Sequence, residues 1–346
     1  NDGIVNAREV LGDQVILLGH HYQREDVFKY ADFSGDSYKL SRLASEQKDA
    51  EYIIFCGVHF MAETADVLSG PQQTVILPNM AAGCSMADMA QTEDVEDAWE
   101  DLTSVLGDED EIVPITYMNS TADIKALCGR NGGIVCTSSN ADLTFDWAFE
   151  RSKRILFLPD QHLGRNTALK MGIPEDEIIV WNPYAPMGGH SPEVIRRARV
   201  ILWQGHCSVH TRFTSQQIQE SRDKYPEVNV IVHPECTREA VDAADYVGST
   251  EYIVKMVSEA PVGSVWAIGT EINLVNRLAK ENPDKTVFCL DPIVCPCATM
   301  YRIHPAYLLW VLDGLMAGLV INPIKVDGQT AIDARVALQR MLDVAG

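Results

Sequence analysis

A chain of 346 residues with 46% apolar and 22% charged side chains has ordinary globular composition. That excludes a disordered or fibrous protein and, at about 100–200 residues per domain, a single small core. The 28 Lys and Arg against 49 Asp and Glu leave a net charge of −21, which repels phosphate backbones and anionic membrane surfaces and argues against nucleic-acid or membrane partners.

Along the chain, short runs rich in Val, Ile and Leu alternate with longer amphipathic stretches, the pattern of βα units and parallel sheets. The fold class expected is α/β. The runs fall into three groups. The first holds Val15–Gly19, Tyr52–Cys56 and Thr74–Leu77. The second holds Ile112–Thr116, Gly133–Cys136, Arg154–Leu158 and Val200–Trp203, and the third Val228–Val232, Ala244–Val247, Ser264–Ile268 and Thr286–Leu290. Each group can form one small sheet. The acidic stretch Glu93 to Glu111 reads as a solvated helix face and loop that separates the first two groups, and Gln216–Pro226 reads as a polar helical linker before the third. The expected domains are therefore residues 1–97, 98–215 and 216–300. Two helices follow from Tyr301, parted by Pro323, and residues 301–346 are expected to pack back on the first domain. The greasiest window, Leu308 to Ile321, carries Asp313 and is too short to span a bilayer. The first residues lack the basic and then apolar pattern of a signal peptide, which places the protein in the cytoplasm.

In parallel sheets, the loops after the strand C-termini collect the functional side chains. Here the first run of each group leads into GHHYQ, TYMNS and HPECT. The last run of each group leads into a loop with a cysteine, Cys84, Cys207 or Cys297. Nine cysteines, odd in number and scattered, do not form a secreted disulfide framework. A thiolate is a soft ligand that selects iron–sulfur clusters or zinc, and three thiolates leave one coordination position open for chemistry. Taken singly, Cys84 and Cys207 also read as small hydrophobes at strand ends. Cys295-Pro-Cys297 suggests ligation or a redox pair. His20, His21 and Tyr22 after one strand, and His233 with Glu235 after another, are acid–base tools. Ser37, Ser138, Ser249 and Thr250 stand beside glycine or at helix starts, where hydroxyls and free N–H groups hold carboxylate or phosphate oxygens or simply cap the helix. No dinucleotide fingerprint, Walker A motif, radical-type cysteine triplet, zincin helix or nucleophile elbow occurs.

Ten segments in register carry a resemblance: GHHYQ at 19–23, GDS at 35–37, NMAAGCSMADM at 79–89, TYMNS at 116–120, CTSSNA at 136–141, GHCSVHTRF at 205–213, HPEC at 233–236, GST at 248–250, IGTE at 268–271 and CATMYRI at 297–303. Together, and over nearly the whole chain, they resemble the quinolinate synthase family. The resemblance implies three pseudo-symmetric α/β domains around a central [4Fe-4S] cluster, each domain giving one cysteine. Cys297 is chosen over Cys295 because the family's third ligand lies in a C-x-x-M context, here Cys297 to Met300. Cys295 then becomes a disulfide candidate or a bystander. The implied reaction condenses iminoaspartate with dihydroxyacetone phosphate to quinolinate, phosphate and water in de novo NAD biosynthesis. By residue match, Cys84, Cys207 and Cys297 hold the cluster, Glu235 and His233 handle protons, and Tyr22 with His20 orients the triose and shuttles protons. Tyr117 and Asn119 line the site near the open iron, and Ser37, Ser138, Ser249 and Thr250 bind substrate oxygens. An L-aspartate-oxidising enzyme is the implied partner. Two other classes stay open at this point: an aconitase-like iron–sulfur hydro-lyase and a non-enzymatic iron–sulfur redox sensor.

Overall fold

In the computed structural model the chain is described over residues 2–47, 50–107, 112–293 and 296–345. Its strands are apolar almost end to end. Val15–His20, for instance, buries five of its six residues, as expected where helices cover both faces of a parallel sheet. The first sheet takes β1 (Val15–His20), β2 (Phe33–Gly35), β3 (Tyr52–Cys56) and β4 (Thr74–Ile76). The second takes β5 (Ile112–Tyr117), β6 (Ile134–Cys136), β7 (Arg154–Leu158), β8 (Ile178–Trp181) and β9 (Val200–Trp203). The third takes β10 (Asn229–Val232), β11 (Tyr246–Val247), β12 (Val265–Gly269) and β13 (Thr286–Cys289), and β14 (Pro323–Ile324) returns to the first.

The strand orders are β14-β4-β3-β1-β2, β6-β5-β7-β9-β8 and β11-β10-β12-β13. One arrangement thus recurs three times, with the leading strand beside the second and third and the last strand beyond the third. All described pairings are parallel except β14 on β4. The three expected groups are therefore three sheets. Three strands, β2, β8 and β14, lie outside the expected runs. β2 is only three residues and includes Ser34, β14 begins with a proline, and β8 comes from an additional βα step that adds an edge strand beyond β9.

The acidic stretch forms the expected solvated helix face: Thr92–Leu106 is a helix that buries Val95, Ala98 and Leu102 and turns its acidic side chains outward, so it also packs on the core and is more than a linker; residues 108–111 of that stretch lie outside the described residues. One segment behaves differently from its expectation. The two C-terminal helices do not share one seat. Pro305–Met316 packs against the first helix, Asp2–Leu11, while Gly328–Ala345 lies on Ala122–Arg130 and β6 of the second sheet. Gly129 permits that close approach, because a Cβ there would collide with the Asp333 carbonyl. One continuous apolar core runs through the first two sheets and these helices, whereas the third sheet has separate cores on its two faces.

Candidate active site and thiol centre

The three recurrent strand orders bring equivalent loops to one place. After β4, β9 and β13 the chain turns into a single 3-10 turn three residues beyond a cysteine: Ala87–Met89 after Cys84, His210–Arg212 after Cys207 and Met300–Arg302 after Cys297. In each turn the cysteine carbonyl accepts the N–H four residues on, from Asp88 at 3.0 Å, Thr211 at 3.1 Å and Tyr301 at 3.0 Å. The three thiols line one cavity. Burial pushes Cys84 up to about 12, opposed by the Ala87 and Met86 amides and reinforced by the charges of Cys297 and Glu235. Burial also drives Cys207 well above the usual thiol range, and Glu235, Cys84 and Cys297 drive it further. Such thiols resist ionising beside one another unless a cationic centre takes them as thiolates, so the donor set fits a soft metal group with three cysteine ligands and an open position. Cys295 lies outside the described residues.

The loops after β1, β5 and β10 supply the remaining chemistry. His20 and Tyr22, Tyr117 and Asn119, and His233 and Glu235 all face the cavity, as do Ser37, Ser138 and Thr250. Ser249 is set apart. It caps the helix Thr250–Ser258 by accepting the Tyr252 N–H and lines an adjoining outer recess, to which Ser138 also contributes. The Tyr117 hydroxyl donates to Glu235 Oε1 at 2.7 Å, and Glu235 Oε2 lies 3.2 Å from His210 Nδ1. His210 stacks on His233 with ring centroids 4.4 Å apart. On its other side, His210 Nε2 lies 3.3 Å from Thr270 Oγ1, which is 2.7 Å from the Tyr22 hydroxyl, and Thr250 Oγ1 donates to that hydroxyl at 3.1 Å. A continuous polar chain therefore runs from Tyr22 through Thr270, His210 and Glu235 to Tyr117. A carboxylate beside Nδ1 assigns the proton of His210 to that nitrogen and leaves Nε2 as acceptor.

Burial works on every member of this chain. It alone would raise Glu235, but His210, His233 and the Tyr117 hydroxyl outweigh it and hold the carboxyl below its usual range, so it is ionised. Burial and the Glu235 charge lift Tyr117 and Tyr22 well above the usual phenol range, so both stay protonated. His20 and His233 are brought down to about 3, mainly by burial, and are neutral rings. Asn119 Oδ1 is buried without a partner among the described residues and, lining the cavity, is an acceptor available to a bound donor. No lysine or arginine among the described residues lines the cavity. Anionic groups would be held there by hydroxyls, imidazoles and the first turns of the helices Ser37–Glu46 and Thr250–Ser258.

Sequence reasoning named the cysteines and both histidine clusters but missed His210 and Thr270. His210 has one readable signal, its place three residues beyond Cys207 within GHCSVH. Thr270 has one as well, its place in IGTE at the end of a strand, although only the third sheet's approach to the first brings it to Tyr22.

A buried cavity that joins three thiols to an ionised carboxylate, neutral imidazoles and protonated phenols is the site of a lyase- or condensation-type enzyme. The chain belongs to the NadA family, described as quinolinate synthetase A protein, whose model matches residues 4–343. It is 60% identical over 341 residues to a quinolinate synthase of Corynebacterium glutamicum, covering 99% of this chain and 86% of that protein. It is also 57% identical over 347 residues to one of a Nocardioides species, covering 98% and 88%. A third, from Herpetosiphon aurantiacus, is 56% identical over 345 residues, covering 99% and 92%. No helix among the described residues is long and apolar enough to cross a membrane.

Proposed function

We propose that the chain condenses iminoaspartate with dihydroxyacetone phosphate to quinolinate, with loss of phosphate and two waters, in de novo NAD biosynthesis. Cys84, Cys207 and Cys297 would hold a [4Fe-4S] cluster whose fourth iron carries no protein ligand. The observation that carries this is the convergence of three equivalent cysteine turns on one cavity that also holds the acid–base chain. When bound, such a cluster supplies a Lewis acid for a substrate oxygen.

The protein's own groups do the rest. Glu235 is ionised and held between Tyr117 and His210, which suits it to remove a proton from carbon. Glu235 itself can then return that proton to a leaving hydroxyl, while His210, Thr270 and Tyr22, whose donors point toward the carboxylate, hold it in place. His20 Nδ1 accepts the Tyr22 N–H at 3.1 Å, which leaves Nε2–H as a donor for the triose. Ser37, Ser138 and Thr250 would take carboxylate or phosphate oxygens, with Ser249 acting from the outer recess. Cytoplasmic placement and supply of the imine by an L-aspartate-oxidising enzyme belong to the same proposal.

One observation favours a second reading. Cys207, His210 and Glu235 offer ligand atoms within 4.8 Å of one another, enough for a single metal ion, though an ion there would break the His210–Glu235 contact. Iron and sulfide in equal amounts support the cluster, whereas one metal ion without sulfide supports the alternative. The activity is tested by supplying both substrates to anaerobically reconstituted protein. Quinolinate and phosphate should appear in a one-to-one ratio, and phosphate release without quinolinate overturns the proposal.

A further inference from the structure

The loop from β13 to Cys297 is fastened near each end by a buried carboxylate. At one end Asp291 accepts two guanidinium N–H groups of Arg212, at 2.9 and 2.8 Å, and the Ile293 N–H at 2.8 Å. At the other end Glu271, fully buried, accepts the Cys297 N–H on Oε1 at 3.1 Å. Asn273 gives its side-chain N–H to the same oxygen at 2.9 Å and its backbone N–H to Oε2 at 2.7 Å. Glu271 follows β12, caps the helix Ile272–Glu281 and does not line the cavity. All three of its neighbours are N–H donors, and only an acceptor-only side chain satisfies all of them; an amide would turn its NH2 toward one. The Cys84 turn is held differently, by backbone contacts such as the His59 N–H to the Ala82 carbonyl and the Ala82 N–H to the Asn79 carbonyl, each 2.8–3.0 Å.

We infer that Glu271 is a positioning residue for the third thiolate: its carboxylate pins the Cys297 backbone to the end of β12 and so sets where Cys297 Sγ stands relative to the thiols of Cys84 and Cys207. This rests on the assignment of Cys297 as a cluster ligand. Groups that hold a metal ligand in place typically contribute 10- to 100-fold to metal retention.

The test measures cluster loss, not turnover. Anaerobically reconstituted protein is mixed with excess iron chelator and the visible absorption is followed. Glu271→Ala should bleach at least about tenfold faster than the parent protein, with Glu271→Gln between the two. Ser191→Ala, which removes the cap of the distant helix Pro192–Arg197, should bleach at the parent rate, which separates positioning from general loss of a helix cap. Parent-rate bleaching by Glu271→Ala, or equal acceleration by Ser191→Ala, overturns the inference. If Glu271→Ala does not accumulate as folded protein, parent-rate bleaching of Glu271→Gln overturns it. A Cys297→Ser protein with a full cluster defeats the ligand assignment itself, whereas an empty Cys297→Ser protein beside an unaffected Glu271→Ala defeats this inference alone.

Discussion

The first and third sheets end their leading strands in the same way and put different reagents there. After β1, His20 Nδ1 accepts the N–H of Tyr22; after β10, His233 Nδ1 faces the N–H of Glu235 at 3.4 Å. Both rings are buried and neutral, yet two residues further on one loop offers a phenol and the other a carboxylate. In the third unit that carboxylate also comes back to 3.5 Å from His233 Nδ1, so the ring's tautomer is contested there, while His20 is fixed as an Nε2–H donor. The neighbouring residues diverge too. His21 reaches Glu251 of the third unit at 2.9 Å, whereas the Pro234 carbonyl is taken by Asn166 of the second. A repeated scaffold thus delivers one histidine whose free nitrogen is a donor and another paired with a base. The repetition fixes where the groups stand, and substitution at a single position decides what each does.

The largest expected effect breaks this difference at its active end. Glu235→Gln keeps the size of the side chain and removes the charge, so turnover should fall about 10²–10⁴-fold with the visible absorption of the reconstituted protein retained. Near-parent turnover would remove Glu235 from proton transfer. Tyr22→Phe removes one hydroxyl from the chain and should cost about tenfold in turnover, the scale of one hydrogen bond to a charged network. A loss as large as that of Glu235→Gln would mean that the two loops are chemically equivalent.

The second unit sharpens the comparison because its leading strand ends in Tyr117-Met118-Asn119, with no histidine, and its loop is held instead by Lys125. This lysine is fully buried, donates to the Ser120 carbonyl and is lowered to about 8 by burial. Since the unfolded chain binds that proton more tightly than the folded one, stability should rise with pH between about 8 and 10.5, by at most about 3 kcal/mol. Lys125→Met should flatten that rise in urea unfolding measured from pH 7.5 to 10, and parallel curves for the two proteins would show that the folded state holds the Lys125 proton as tightly as the unfolded chain does, against the lowering by burial.

The smallest effect concerns the contact between the first and third units. Glu251 is held down at about 2, first by its hydrogen bond from His21, and then by the charges of His21 and Lys39 against partial burial. Its contribution is complete above the ordinary carboxyl range and lost as pH falls from about 4.5 toward 2. Because the side chain is 36% exposed, Glu251→Gln should weaken the acid limb of the stability curve by less than about 1 kcal/mol. A larger loss would make this contact a principal tie between the units.

Much of this is legible in the sequence alone. The three groups of apolar runs and the cysteine after the last run of each are local signals, and they became three sheets with one order. The histidine clusters were legible because strand ends in parallel sheets are where side chains escape the core. The edge strands β2, β8 and β14 were not: β2 and β14 pair only three and two residues, which leaves no period to read, and β8, as long as its neighbour β9, belongs to a step the other units lack. Asp291 was equally hidden, and Thr270 and Glu271, though within the IGTE segment, gave no sign of their partners. Each acts through a partner at least 26 residues away or across a sheet boundary, and only tertiary packing decides that an acid at a helix start accepts the N–H of a distant cysteine. Ser249 shows the opposite case, a helix-start hydroxyl whose capping bond is local and whose place on the outer recess is set by packing.

The most direct test of the central claim is the iron and sulfide content of Cys84→Ser, Cys207→Ser and Cys297→Ser after anaerobic reconstitution. Loss of the cluster from all three, with the parent protein carrying iron and sulfide in equal amount, is the expected result. A parent-level content in any one of them would show that the three equivalent turns do not share a single centre.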